Sequence, residues 1–408
     1  MLVEFSVGNF RSFKDIQTLS MVAAPISSKN KELDEQNTFQ ATPKLRLLKT
    51  KAIYGANGSG KSNLVTAIMF FRGFVELSFK QNMDVLSMSK KFIFSTESIN
   101  EPIYFQVVFV INKIIHRYGF EIEKDVITSE WLFATPNQRE VYFFKREGNT
   151  FELNKEYIKG AKKIQSLVSN IKGTSLLLSL LASLNNEIAI LIENYFRYYL
   201  ILDSIETDVD HEALRTFSTN DFISKENSKT VELLRYADNS INSMDCVDNA
   251  DNDEKIITFS FNLYDEDKTQ KEQMSVPFFE FASVGTKRVF DIAPFIHASF
   301  DIGTPLIIDE FDSKLHPIIT KKIVELYNKN KNNAQLIFVT HDTNLLDSKL
   351  LRRDQIAFIE KDKYGASHLY DLVEFKGVRN DASFEKDYLD GRYGAVPFVG
   401  NFEYVFSK

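Results

Sequence analysis

The stretch Gly55-Ala56-Asn57-Gly58-Ser59-Gly60-Lys61-Ser62 constrains this chain more than any other, because it fills every fixed position of the phosphate-binding pattern GxxxxGK[ST]. Ala52, Ile53 and Tyr54 lead into it as an apolar strand, and residues 63–71 (NLVTAIMFF) leave it with helical character. That strand–loop–helix setting is the one the pattern needs. The glycines let backbone amides turn inward around phosphate oxygens, and the helix start adds partial positive charge. Lys61 is then expected to reach the β and γ phosphates and Ser62 to hold Mg²⁺, which makes ATP with Mg²⁺ the expected ligand. A glycine-rich turn that binds nothing is the plainer alternative, and the correct flanks weigh against it.

Two further strands end in chemistry. Pro305-Leu306-Ile307-Ile308-Asp309-Glu310 is an apolar run closed by two carboxylates, which desolvation and mutual repulsion make costly unless they serve a purpose. A bound Mg²⁺ and an attacking water supply that purpose, with Asp309 supporting the metal and Glu310 orienting and deprotonating the water. Gln335-Leu336-Ile337-Phe338-Val339-Thr340-His341-Asp342 repeats the design. A lone histidine is usually structural, but His341, at a strand tip after the paired acids, reads as a γ-phosphate sensor.

With 408 residues, 44% of them hydrophobic, the chain can bury a substantial core, so disorder as a whole is excluded. Its 36 phenylalanines are better spent on packing than on stacking bases. A net charge of −7 gives no sign of a general nucleic-acid coat and leaves a local basic groove open. The single cysteine, Cys246, cannot pair internally and no charged-then-apolar leader opens the chain, which points to the cytoplasm. Residues 176–192 (LLLSLLASLNNEIAILI) are the most apolar window, but Asn185, Asn186 and Glu187 interrupt its middle. A buried helix pair is expected there, and no membrane segment.

Along the chain, residues 2–7 alternate as a strand and run into the polar turn Asn9-Phe10-Arg11-Ser12-Phe13, which alone suggests an edge hairpin. Residues 25–45 look irregular. Strand-like runs at 105–111, 118–122 and 141–144 suggest an antiparallel β lobe, and helical spacing appears between about 156 and 236. Residues 238–254 carry six carboxylates and read as a solvated loop rather than a metal site. Ile257, Phe259, Phe261 and Leu263 then alternate as a strand leading back toward the sheet. The expected divisions are 1–91 for the N-terminal part of the ATPase with its phosphate loop and 92–154 for the β lobe. A mostly helical insertion follows at 155–254, then 255–375 for the C-terminal part of the ATPase and 376–408 for a tail. No repeat or sustained heptad run is present, so the insertion is compact rather than a coiled-coil arm.

Taken in order, NFRSF, GANGSGKS, Ala282-Ser283-Val284-Gly285-Thr286-Lys287-Arg288, LIIDEFDSKLHP and VTHD resemble the motifs of ABC-type, RecF/SMC-like ATPases of the AAA family. Within that group the chain is similar to the RloA/AbiL-like ATPases of bacterial anti-phage systems, which resemble the ATPase parts of OLD nucleases, Septu and PARIS. The tail 388–397 (YLDGRYGAVP) also looks like that subgroup. The resemblance implies an α/β fold: an ABC-type P-loop ATPase head with an antiparallel β lobe and a compact helical insertion. It implies an ATP sandwich, in which Gly55 to Ser62 of one subunit face Ser283 and Gly285 of another, and it adds Arg11 and Asn63 to the nucleotide contacts. By itself Ser283 is equally well a helix cap. Two positions depart from the pattern: His316 stands where transporters of the family carry an aspartate, and no glutamine between loop and signature is identifiable, Gln106 lying inside an apolar strand.

Three functions follow as expectations. The first is the ATP-hydrolysing subunit of an anti-phage, abortive-infection-like system, a homodimer or higher even oligomer controlling an effector or nuclease encoded nearby. The second is a RecF-like DNA-repair ATPase that clamps DNA. The third is a switch that binds only protein. About 60 residues follow the His341 segment, too few for a further catalytic domain of typical size.

Overall fold

The computed structural model describes all residues except 29, 80–84, 138, 169–171, 203–215, 224–227, 249–254, 379–381 and 398–408. Strand β1 (Leu2–Gly8) turns through Asn9–Phe13 into β2 (Gln17–Ser20). Helix α1 (Lys31–Gln36) and the ribbon of β3 (Thr38–Thr42) and β4 (Leu45–Leu48) occupy the segment expected to be irregular. Strand β5 (Thr50–Tyr54) then delivers the phosphate loop to helix α2 (Lys61–Leu77).

Five antiparallel strands follow: β6 (Ile103–Ile111), β7 (Ile114–Glu123), β8 (Val126–Thr135), β9 (Val141–Glu147) and β10 (Thr150–Leu153). The β6–β7 and β7–β8 turns place Asn112-Lys113 and Lys124-Asp125 at positive φ, the two-residue geometry whose twist suits a hairpin. These strands join the first two in a sheet of order β10-β9-β8-β7-β6-β1-β2. The β1–β2 hairpin therefore stands at the edge of this sheet, as expected, with β2 outermost and β1 its inner strand. Phe5 faces Leu19 on one side and Val107 on the other, and that second partner is about a hundred residues downstream, beyond the reach of local pattern.

Next come α3 (Ala161–Val168), α4 (Leu177–Ser183) and α5 (Glu187–Arg197), so the apolar window is a helix pair, broken at Asn185 and Asn186 where the Asn186 side chain caps α5. Beyond β11 (Leu200–Leu202), α6 (216–223) and α7 (Ser228–Ala237) lie β12 (Ser243–Asp248), β13 (Lys255–Tyr264) and β14 (Gln270–Pro277). These last three form their own antiparallel sheet, so β13 does not rejoin the main one and part of the acidic segment is a strand. The chain closes with α8 (Phe278–Phe281), α9 (Val284–Ile302), β15 (Pro305–Ile308), α10 (Pro317–Lys329), β16 (Gln335–Val339), β17 (Ile356–Lys361), β18 (Ser367–Asp371) and α11 (Phe384–Leu389).

The second large sheet has the order β11-β15-β16-β5-β17-β18, parallel except for β18. Period-two alternation divides its strands between two cores. Ile53, Ile307, Ile337 and Ile359 face α2, α5 and the antiparallel sheet; Tyr54, Ile308, Phe338 and Phe358 face α9, α10 and α11. Phe71 of α2 shows how the first core is filled: its ring lies 5.1 Å from Phe196, 5.4 Å from Phe120 and 6.0 Å from Phe5. Truncating so enclosed a ring costs about 3–5 kcal/mol. Because β5, β15 and β16 are parallel neighbours, their carboxyl ends share one edge, where α/β sheets bind ligands. Among the described residues, no helix is long and apolar enough to cross a membrane.

Candidate nucleotide site

The phosphate loop is held open by two left-handed glycines, Gly58 (φ 73°) and Gly60 (φ 111°). A side chain at Gly55 would strike the Ile359 carbonyl, and one at Gly60 would strike Ser367 and come within 2.6 Å of Ser12 Oγ. The two serines explain the constraint. Ser367 Oγ donates to the Ser59 carbonyl (2.5 Å), Ser367 N donates to Ser12 O (2.7 Å), and Asn63 Nδ2 donates to Ser12 Oγ (2.8 Å). The loop is thus clamped from outside by the Asn9–Phe13 turn and by the start of β18. Ser12 and Ser367 were missed from sequence; Ser12 sits inside a motif that could have flagged it, whereas nothing local marks Ser367.

Lys61 is buried and donates to the Gly55 and Ala56 carbonyls (2.8 and 2.9 Å), so it lies over its own loop where phosphate oxygens could replace those acceptors. Burial pushes its pKa down, while Asp309, Asp312 and Glu310 push back, which places all three acids within its electrostatic reach. Ser62 is exposed on the first turn of α2. Ala56 and Asn57 line the loop's outer turn, where Ser59 N closes onto Ala56 O (3.2 Å). Arg11, itself left-handed at φ 49°, donates from Nη1 to Asn63 Oδ1 (3.4 Å), bringing those two residues together beside the loop.

The acids sit on a stitched edge. Asp309 N donates to Leu202 O, Phe311 N to Val339 O and Thr340 N to Ile53 O, so the ends of β11, β15, β16 and β5 are fixed to one another. Asp309 is fully buried; its Oδ1 accepts from Glu310 N (3.0 Å), and its Oδ2 has no partner among the described residues. Glu310 is exposed in a left-handed conformation (φ 47°), which costs a non-glycine residue of order 1–2 kcal/mol and is typical of functional turns. Asp312, also missed from sequence, accepts from Thr340 Oγ1 (2.6 Å) and His341 N (3.1 Å), locking the acid turn to the histidine. Burial lowers the His341 pKa, the Lys61 charge lowers it further, and the three acids oppose them, so the imidazole is held toward its neutral form.

An orphaned buried carboxylate oxygen near Lys61 and an exposed serine hydroxyl fit a divalent ion that takes its remaining ligands from phosphates and water. No group of three or more His, Cys, Asp or Glu gathers as a metal cluster among the described residues. The edge therefore offers a polyphosphate cradle, a cation position and a carboxylate base side by side.

Ser283 and Gly285 go elsewhere. Ser283 caps α9, its Oγ accepting from Thr286 N (3.1 Å), and it is exposed. Gly285 packs against the turn after the acids, where a Cβ would lie 3.1 Å from Lys314 O. No hydrogen bond joins either residue to the phosphate loop among the described residues. Arg288, one turn into α9, is buried with an unpartnered Nε and lies within reach of the Glu310 charge. His316 caps α10 through Nδ1 (3.2 Å to Ile318 N), and Gln106 sits in the antiparallel sheet, accepting from Trp131 (3.1 Å) and Arg117 (3.3 Å). The tail packs behind β5: Tyr388 stacks on Phe358 (5.4 Å), and Glu385 accepts from Thr343 Oγ1 (2.8 Å) in the loop after His341.

A family profile described as "AAA domain, putative AbiEii toxin, Type IV TA system" matches residues 52–347, which takes in every strand-end motif. The chain is 36% identical over 94 residues to the phosphate import ATP-binding protein PstB 3 of a Synechocystis species, covering 22% of this chain and 32% of that protein. It thus spans about a third of the length of the curated relative it matches. Similar solved structures include the SMC head domain from Thermotoga maritima (14% identity, TM-score 0.40, covering 91% of this chain and 98% of that one). Another is the SmcHead bound to the C-winged helix domain of ScpA (13% identity, TM-score 0.41, covering 91% and 97%).

Proposed function

We propose that this chain, which belongs to the AAA-domain family described as putative AbiEii toxin, Type IV TA system, is the ATP-driven switch subunit of a cytoplasmic anti-phage defence system. It is an ATP-binding ATPase of the AAA/ABC class. Two copies close around ATP, and closure and hydrolysis control an effector protein that travels with it. The observation that carries this reading is that the exposed Ser283 caps α9 and Gly285 packs against the turn after the acids of its own chain, with no hydrogen bond from either to the phosphate loop among the described residues. A second copy would complete each loop with the positive end of α9.

In that complex Lys61 exchanges its two backbone carbonyls for β and γ phosphate oxygens. Mg²⁺, held by Ser62 and Asp309, would neutralise charge developing on the phosphates. Glu310 accepts the proton of the attacking water, and His341, kept neutral, donates a hydrogen bond to the γ-phosphate. A protein whose site does nothing but hydrolyse ATP acts through the contacts that differ between its two states, so something must read the change. The toxin and antitoxin wording of the family description and the net charge of −7 support a protein effector over a DNA clamp.

Mixing Ser283→Arg subunits with Lys61→Ala subunits tests the sandwich: interfaces with one intact composite site should restore part of the ATPase activity. A mixture as inactive as either parent, under conditions of subunit exchange, would refute completion in trans. The effector reading is tested by expression with the neighbouring gene, which should give growth arrest on phage infection that Lys61→Ala abolishes. ATP-dependent, salt-sensitive duplex binding with no effect of the neighbour would favour the repair role instead.

A further inference from the structure

The order of strands along the parallel sheet gives a bound nucleotide a direction. Asp309, Glu310 and His341 end β15 and β16 on one side of β5, so the γ-phosphate end points that way. The nucleoside then leaves on the opposite side of β5, toward the β17–β18 hairpin and toward Arg11 and Asn63. Three large apolar side chains stand in solvent there: Ile93 (70% exposed), Phe94 (68%) and Tyr364 (68%).

Their position is fixed from two directions. Arg11 N donates to Lys90 O (2.7 Å) and Phe92 N donates to Asn9 Oδ1 (3.3 Å), so the strip bearing Ile93 and Phe94 is bonded to the turn that brings Arg11 to Asn63. On its other side the Phe94 ring rests on the hairpin, with Cδ2 only 2.9 Å from where a Cβ on Gly365 would stand. Gly365 is left-handed (φ 85°), so the backbone approaches the ring without a side chain. Ser367, which holds the Ser59 carbonyl, is two residues further, at most about 7 Å along the chain. Buried Phe92 props the ring in a T-shaped contact at 5.7 Å. An exposed aromatic ring so supported, resting on the hairpin that also holds the phosphate loop, is built to meet something flat.

We propose that Phe94, rimmed by Ile93 and Tyr364, is the platform on which the purine ring of the bound nucleotide stacks. Every base presents a π face, so the platform supplies affinity rather than choice between adenine and guanine. The assignment rests on the phosphate loop being the ATP site. The other occupant such a patch could take, a second copy of this chain, becomes an outcome of the test.

The test compares binding of ATP and of inorganic tripolyphosphate to the full chain, in the native protein and in Phe94→Ala and Phe94→Trp. Loss of stacking should weaken ATP about tenfold or more in Phe94→Ala. Tripolyphosphate, which has no base, should bind both proteins alike, and that retention also reports an intact loop. Phe94→Trp should restore ATP binding. Equal weakening of both ligands, unchanged ATP affinity, or a defect confined to self-association would each overturn the platform. A native protein that binds neither ligand would instead overturn the ATP site itself, and the two failures are thereby kept apart.

Discussion

Asp309 and Glu130 are both lost to solvent, at 0% and 1% exposure, yet they live in opposite conditions. Glu130, in the antiparallel sheet, accepts from Tyr118 Oη (2.9 Å), Leu177 N (2.6 Å) and Leu178 N (2.9 Å), with Arg146 at 3.8 Å. Its oxygens are spoken for, and its charge pins the start of α4. Asp309, at the edge of the parallel sheet, accepts one backbone bond and keeps Oδ2 unpartnered among the described residues. Buried polar atoms are normally satisfied, so the deficit at Asp309 sets it apart as the carboxylate with an oxygen free to meet a ligand, while burial by itself distinguishes neither. Left-handed backbone makes no such split: Glu310, Gly58 and Gly60 hold it around the deficit, and Asn112, Lys113, Lys124 and Asp125 hold it in the hairpin turns of the antiparallel sheet.

The largest effect that could break this contrast is on stability. Removing Glu130 with Glu130→Ala leaves the Arg146 guanidinium buried without its anion and should cost about 3–5 kcal/mol in urea unfolding. Asp309→Asn should leave stability nearly unchanged; were the two costs reversed, Asp309 would be the structural acid. Next in size is turnover. Asp309→Asn and Glu310→Gln should each lower ATP hydrolysis by about 10²-fold or more in a folded protein, Glu310→Gln with ATP still bound, whereas Lys61→Ala should weaken binding itself. Native-like turnover in Glu310→Gln would remove it from the role of base.

A smaller effect sharpens the contrast through the histidines. His116, stacked on Phe109 (5.3 Å) in the antiparallel sheet, is pushed by burial from 6.5 to about 4. The unfolded chain therefore binds the proton first as pH falls, so His116 costs nothing above about pH 6.5 and destabilises the fold progressively below it. Between pH 6.5 and 5 the loss should reach roughly 2 kcal/mol, and it should disappear in His116→Phe. An unfolding free energy equally pH-dependent in that variant would show the loss to arise elsewhere.

Much of the site was legible because its chemistry is local. A phosphate loop needs consecutive glycines and a following Lys-Ser, and a strand ending in Asp309-Glu310 or in His341 shows its apolar run and its polar tip within a few residues. What failed was long-range. The hairpin of the first two strands is legible in its own residues, but its place on a larger sheet depends on Val107, about a hundred residues on, and the alternation of Ile257 to Leu263 marks a strand without saying which sheet receives it. Asp312 is not legible locally because its partners, Thr340 and His341, lie just past the end of another strand, and Ser367 because its partner is the Ser59 carbonyl.

The sequence by itself determined the ligand class and the segments that carry the candidate groups, because backbone conformation at Gly58 and Gly60, the charge of Lys61 and the strand-end acids are properties of short segments. Only the tertiary structure decided that the strand carrying His341 lies between the strands carrying the loop and the acids, that one carboxylate oxygen is left without a partner, and that Ser283 stands apart from its own loop. Strand order and hydrogen-bond satisfaction are sums over contacts between residues hundreds of positions apart. They are fixed by how the two cores pack, and no local pattern records them.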